Sequence, residues 1–158
     1  MSLDSVRQHL ARIAPDLEIL EATTSTATVT LAAAAHGVEP GRIAKTLGLK
    51  VGEQLLLLVA RGDARLDNRK LKAAFGGKAK LLDADTVEGL TGHPVGGVCP
   101  FGLATPLPVY CDESLKAFDE VLPAAGAIHS CVRLTPEWLA ALSEARWVDV
   151  CALGDQRS

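Results

Sequence analysis

Aromatic residues are scarce, at 4% of 158 residues, so the core has to be built from Leu, Val, Ile and Ala. No excess of basic charge is present either. The formal net charge is −3 and the isoelectric point is near 5.8. That is a poor match to a protein that coats nucleic acid, though not to one that touches only an RNA end. None of the four cysteines, Cys99, Cys111, Cys131 and Cys151, forms a C-x-x-C pair, which removes local support for a zinc site or a thioredoxin-type motif. The longest apolar runs, such as Leu55 to Ala60, are far too short to span a membrane. The first residues lack the basic and apolar regions of a signal peptide. Four free thiols in a reducing cytoplasm is the simplest setting. No glycine-rich loop joins a strand to a helix in the pattern of a Rossmann fingerprint or a P-loop.

What is present is an ordinary globular composition, with 48% apolar and 22% charged residues, and enough length for one domain with a real core. Apolar spacing predicts a helix over Ser5–Ala14, capped by Asp4 or Ser2, and a short strand over Leu17–Leu20. A second helix is expected over Thr26–His36, with Ser25 or Thr24 as cap and Gly37 as stop. Ile43–Val51 alternates as a strand, with Ile43, Lys45, Leu47, Leu49 and Val51 on one face. Gly52-Glu53 turns it into a buried strand over Gln54–Ala60. Further along, helices are expected from Asp67 to Phe75, Asp85 to Leu90 and Thr135 to Ser143, with a helical turn at Ser114–Phe118. Strands are expected at Lys78–Leu82, Pro108–Cys111, Ile128–Leu134 and Trp147–Cys151, with Val121-Leu122 extended and a frayed tail, 153–158. One hairpin among irregularly alternating strands and helices argues for a single α+β or mixed-sheet domain.

Several residues invite chemistry. Lys45 shares a face with Ile43, Leu47 and Leu49, where a lysine must reach solvent, find an anion or bear a desolvation cost. Between Thr91 and Gly102 stand four glycines and two prolines in twelve residues, including Gly96-Gly97-Val98-Cys99-Pro100-Phe101-Gly102. Consecutive glycines let a ligand approach the backbone and its N–H groups. Cys99 is a candidate nucleophile, with His93 or His129 as its base; the alternative is a small buried thiol. His129-Ser130 follows a small-residue turn at a strand entrance, a common place for substrate contacts. His36 reads as a helix-dipole partner and His9 as surface. Arg61, Arg65, Arg69, Lys70, Lys72, Lys78 and Lys80 form a basic cluster, either a solvated face or an RNA contact.

The chain resembles the YbaK and prolyl-tRNA-synthetase-associated editing-domain family. The resemblance rests on Gly37-Val38-Glu39-Pro40-Gly41-Arg42-Ile43-Ala44-Lys45-Thr46-Leu47, on Arg61-Gly62-Asp63 with Arg65-Leu66-Asp67 and Lys70-Leu71, on the Gly96–Gly102 loop, and on Gly126 to Leu134. It implies a compact α+β domain with a mixed, mostly antiparallel sheet wrapped by helices. It also implies hydrolysis of the ester that joins a wrongly attached amino acid to the 3′-terminal ribose of a tRNA, with neither metal nor cofactor. By the same resemblance Lys45 is the essential lysine, and Gly96 and Gly97 supply backbone amides to the acyl carbonyl. Thr46, Cys99, Pro100, Phe101, Gly102, His129 and Ser130 are the substrate-contacting candidates. Implied partners are a mischarged tRNA, through its aminoacyl-adenosine end, and a synthetase. Many relatives carry Ser at the position of Cys99, which weighs against a thiol nucleophile. Alanine, cysteine, serine and threonine all stand as cargoes, and a tRNA-binding module without catalysis stands as the alternative function.

Overall fold

In the computed structural model, residues 2–22, 28–94 and 96–153 are described. The chain forms α1 (Ser2–Ile13), β1 (Ile19–Glu21), α2 (Val29–His36), β2 (Ile43–Val51), β3 (Gln54–Arg61), β4 (Ala64–Leu66), α3 (Asn68–Phe75) and β5 (Ala79–Leu81). It continues through α4 (Ala84–Thr91), β6 (Val109–Asp112), β7 (Leu122–Pro123), β8 (Ser130–Val132), α5 (Pro136–Ser143), β9 (Arg146–Val148) and β10 (Cys151–Leu153). The main sheet runs β5-β2-β3-β6-β9, and β7 pairs with β2 beside this path. Two smaller ladders join β1 to β8 and β10 to β4. Four of the seven ladders among the described residues are antiparallel and three are parallel. The expected α+β domain with a mixed sheet is the fold observed.

β3 is the central strand, and it explains its own sequence. Leu57 and Val59 point into a core shared with Val6 and Leu10 of α1 and Leu139 of α5. Leu56, Leu58 and Ala60 point the other way, against Leu71 of α3. A strand covered on both faces has no polar side to alternate with, hence the unbroken apolar run. Each Leu or Val so buried contributes roughly 1.5–3 kcal/mol. β2 is likewise covered on both faces: Ala44 joins the first core, while Leu49 and Val51, expected on the opposite face, join the second.

Helix ends follow local chemistry. Asp67, Asp83 and Thr135 accept from the third residue onward at α3, α4 and α5. Thr28 does the same for α2, whose Gly37 cap has φ 67°. Thr28 itself is therefore outside the helix, and the caps expected at Thr24 or Ser25 lie outside the described residues, as does the tail beyond Leu153. α1 starts at Ser2, placing Asp4 in its first turn rather than at its cap.

Two corrections concern strands. β4 was not expected, because three residues between Asp63 and Asp67 carry no alternation. The strand expected over Trp147–Cys151 is split. Val150 N donates to Asp112 Oδ1 at 2.8 Å, and Val150 O accepts from Asp67 N at 2.8 Å. A buried carboxylate thus substitutes for a strand neighbour at Val150. The chain then turns away, and β10 pairs with β4. β8 is also shorter than Ile128–Leu134; only isolated bridges, Ala124 to Cys131 and Val121 to Leu134, extend it.

The entry to β2 is tightly packed. A Cβ on Gly62 would overlap the carbonyl oxygen of Pro40 and lie 2.7 Å from Val29 Cγ1. Gly62→Ala is therefore expected to cost about 1–3 kcal/mol of stability. Urea denaturation would read this as a lower midpoint, whereas Gly89→Ala, which meets nothing within 4 Å, should not be destabilising.

Candidate active site

β2 is bordered on one side by β3 along nearly its whole length. On the other side it has two partners that do not meet. β7 pairs with Ile43 and Ala44, and β5 pairs with Leu49 to Val51. Residues 45–48 have no strand beside them there. All of Ile43 to Gly48 line a cavity of about 320 Å³ that fills the gap. Small apolar residues line it as well: Val29 and Ala32 of α2, and Ala84 and Val87 of α4. Gly96 and Val98 of the glycine loop and Ser130 and Cys131 of β8 complete the wall.

Lys45 is half-buried, and its Nζ donates to the carbonyl of Ala64 in β4 at 2.5 Å. Burial pushes its pKa below that of a free lysine, against the smaller opposing pull of Cys151 and Asp63. Thr46 Oγ1 is buried and has no hydrogen-bond partner among the described residues. Beside the start of β2, Phe118 lies between two guanidinium groups, Arg61 at 4.7 Å and Arg42 at 5.1 Å from its ring centre. Arg61 is held by both oxygens of Asp63, and Arg42 by Asp119 at 2.7 Å. This stack fixes both ends of the Gly62 crossing.

The structure gathers Lys45, Thr46, Gly96 and Ser130 around one cavity and sends the other candidates elsewhere. Gly97 N–H is taken up by Pro94 O at 2.8 Å, and Gly97 O accepts from Gly126 N at 2.9 Å. A Cβ there would lie 2.6 Å from Ala127 N, so glycine is needed for the loop to seat on the 126–127 turn. Cys99 and Phe101 are in the core, each 0% exposed. Pro100 and Gly102 line a separate, wider cleft of about 920 Å³ against α1 and the end of α5. His129 is exposed, and its carbonyl accepts from Ala22 N at 2.7 Å.

Cys99 does approach a histidine: its Sγ is 3.6 Å from His93 Nε2. Burial pushes that thiol up to about 12, so it stays protonated and shut off from the cavity. The same nitrogen of His93 lies 2.7 Å from Phe101 O, which makes the pair a fastening for the glycine loop. A second thiol–imidazole pair was missed in the sequence. Cys131 Sγ is 3.3 Å from His36 Nε2, and both line the cavity. Ninety-five residues separate them, so no spacing announces the pair.

A family model for the aminoacyl-tRNA editing domain matches residues 23–142. The chain belongs to this family. An uncharacterized protein of Bacillus subtilis (strain 168), YwhH, is 47% identical over 153 residues, covering 96% of this chain and 98% of that one. The proline–tRNA ligase of Moorella thermoacetica is 41% identical over 76 residues, 48% of this chain but 13% of the ligase. Among solved structures, a candidate trans-editing enzyme for prolyl tRNA synthetase superposes with a TM-score of 0.87 at 36% identity, over 96% of this chain and 97% of that one. The hypothetical protein APE2540 superposes at 0.86 and 29% identity, over 94% and 99%. Similarity thus extends over the whole of chains of this length and over a small part of a much longer synthetase.

Burial holds the pKa of His93 below the unfolded value of 6.5, against the smaller opposing effect of Phe101 O. Below pH 6.5 the unfolded chain then binds more protons than the folded one, and stability falls as pH drops from there towards the folded pKa. Urea midpoints measured between pH 7.5 and 5 should fall, and His93→Gln should flatten that slope; His9 and His36, also shifted down by burial, would leave a residual slope.

Proposed function

We propose that this editing-domain chain is a deacylase that hydrolyses the ester between a wrongly attached amino acid and the 3′-terminal ribose of a tRNA, acting in the cytoplasm. One observation carries the reading: an interrupted sheet edge brings Lys45, Thr46, Gly96 and Ser130 to a single cavity walled by small apolar side chains. Such a cavity suits an amino acid of the size of alanine, cysteine, serine or threonine. Each methylene difference between such amino acids changes binding in an apolar pocket by only about 1–3 kcal/mol. That weak discrimination is why a separate hydrolytic step is useful to a synthetase, the second partner in this reading.

In the reaction a water oxygen bonds to the acyl carbon, the bond from that carbon to the ribose oxygen breaks, and a proton passes to the ribose oxygen. The cavity contains no Ser-His-Asp set among the described residues, which favours a mechanism in which a ribose hydroxyl orients the water. The protein's part is placement and electrostatics. Lys45, a cation held by Ala64 O, places positive charge at the aminoacyl-adenosine end, and Gly96 lets the substrate approach the backbone.

A panel of mischarged tRNAs tests the reading. Wild type should release at least one small amino acid well above the spontaneous rate. Lys45→Ala should lower kcat by about 10²–10³-fold, comparable to loss of one oxyanion donor, while Cys99→Ser retains most of the activity. Binding of tRNA without any release would instead identify a tRNA-docking module. Loss confined to Cys99→Ser would identify a thiol hydrolase.

A further inference from the structure

Of the basic cluster, Arg65, Arg69, Lys72, Lys78 and Lys80 are exposed, but the ammonium of Lys70 is used inside the protein. Lys70 Nζ donates to Asp149 Oδ1 at 3.0 Å and to the carbonyl of Cys151 at 2.9 Å. Both acceptors belong to the segment that leads into β10. β10 and β4 form a ribbon of two three-residue strands, with no further strand beside either among the described residues. Its phase is set at Asp67, whose N–H donates to Val150 O at 2.8 Å. Asp67 and Val150 stand one step before the Leu66–Cys151 pair in the same register. Alternation then makes Arg65 and Ala152 the next pair to exchange hydrogen bonds, and it turns the carbonyls of Ala64 and Cys151 outwards on opposite edges of the ribbon. Lys45 takes the first of these outward carbonyls and Lys70 takes the second. Asp67 also caps α3 by accepting from Lys70 N at 3.1 Å, so the helix that carries Lys70 is tied to the same point.

We infer that Lys70 is a positioning residue for Lys45, acting through the β4–β10 ribbon, and is not an RNA contact. This rests on the deacylase reading for what Lys45 does and adds how it is held there. Lys45 Nζ is directed by a backbone carbonyl, which no side-chain rotamer can aim, so the direction of the lysine follows the placement of β4. A two-stranded ribbon of this length is not stable alone. Ala64 and Cys151 pack against Leu71 of α3, and three polar groups grip residues 149–151. Two of the grips fall on Val150, through Asp112 Oδ1 and Asp67 N–H, and so fix a point. Lys70 reaches the residues on either side of that point, and so fixes the direction in which β10 leaves it. The side chains of Lys70 and Asp149 are 39% and 64% exposed, and such an ion pair contributes little by itself. The part-buried bond to Cys151 O is the one that carries the effect.

Lys70→Met removes the ammonium and keeps the length of the side chain. With the mischarged tRNA that wild type cleaves fastest, kcat should fall about 10-fold, as for a catalytic group displaced by less than an ångström. KM and its salt dependence should stay at the wild-type values, whereas loss of a phosphate contact would raise KM and reduce the salt slope by about one. Lys70→Arg, which can serve both acceptors, should bring kcat back to within about threefold. Lys45 can also be read without substrate, by 13C NMR of its ε-carbon in lysine-labelled protein. Burial holds its pKa below 10.5, and the ionisable groups that face it, Cys151 and Asp63, are unchanged in the variant. A loosened β4 admits water, so the Lys45 pKa should move up in Lys70→Met and return in Lys70→Arg. An unmoved Lys45 titration, or a raised KM at unchanged kcat, would overturn the inference while leaving the deacylase standing. Should Lys70→Met be unstable, Lys70→Gln, which keeps a donor but no charge, carries the same expectations and the same overturning results. If wild type cleaves no mischarged tRNA, the deacylase reading falls, and the Lys45 titration still decides whether Lys70 positions it.

Discussion

The outer edge of β2 is shared between two strands too short to meet, and the rest of the structure is arranged around that shortfall. An open sheet edge is ordinarily a liability, covered or broken up to prevent pairing with another chain. Here α2, α4 and the glycine loop cover it without filling it. The result is a half-open cavity lined mostly by apolar side chains, with Lys45 among the residues on its wall.

The surrounding packing serves to keep this edge where it is. Arg42, Phe118 and Arg61 pin the chain where β2 begins, and Gly62 lets β3 cross against Pro40 and Val29. The His93–Phe101–Cys99 contacts hold the far end of the glycine loop in the core. Asp112, almost fully buried, binds the amides of Ser114 and Val150 and so sets where β9 ends. That break sends β10 to β4, the strand whose Ala64 carbonyl receives Lys45. A carboxylate that does not line the cavity therefore helps place the strand to which the lysine donates.

Local signals made much of this legible from the residues alone. The β2–β3 hairpin, the helices α3, α4 and α5 to within a residue or two at their ends, and Gly37 after α2 are decided by neighbours in sequence, and appear as read. The split at Val150 was not legible because its cause, Asp112, is 38 residues away. Within the glycine loop, composition announced a special backbone but not its division of labour. Gly96 reaches the cavity, Gly97 seats the loop on its neighbour, and Cys99 and Phe101 anchor it in the core. His36 and Cys131 come together only because α2 lies over β8, a tertiary contact that no periodicity records.

The turn at Gly52-Glu53 has a consequence beyond joining two strands. Gly52, at φ 60°, meets nothing within 4 Å, and Glu53 is exposed, so by the ordinary standards of surface loops this turn should tolerate insertion freely. Its two-residue length nevertheless fixes the phase of β2 relative to β3. One more residue would oblige a strand to rotate by half a period or absorb a bulge, exchanging the inward and outward amides of everything before it. An exposed corner with no contact to the cavity is thereby held to a fixed count, as the datum from which the cavity wall is measured.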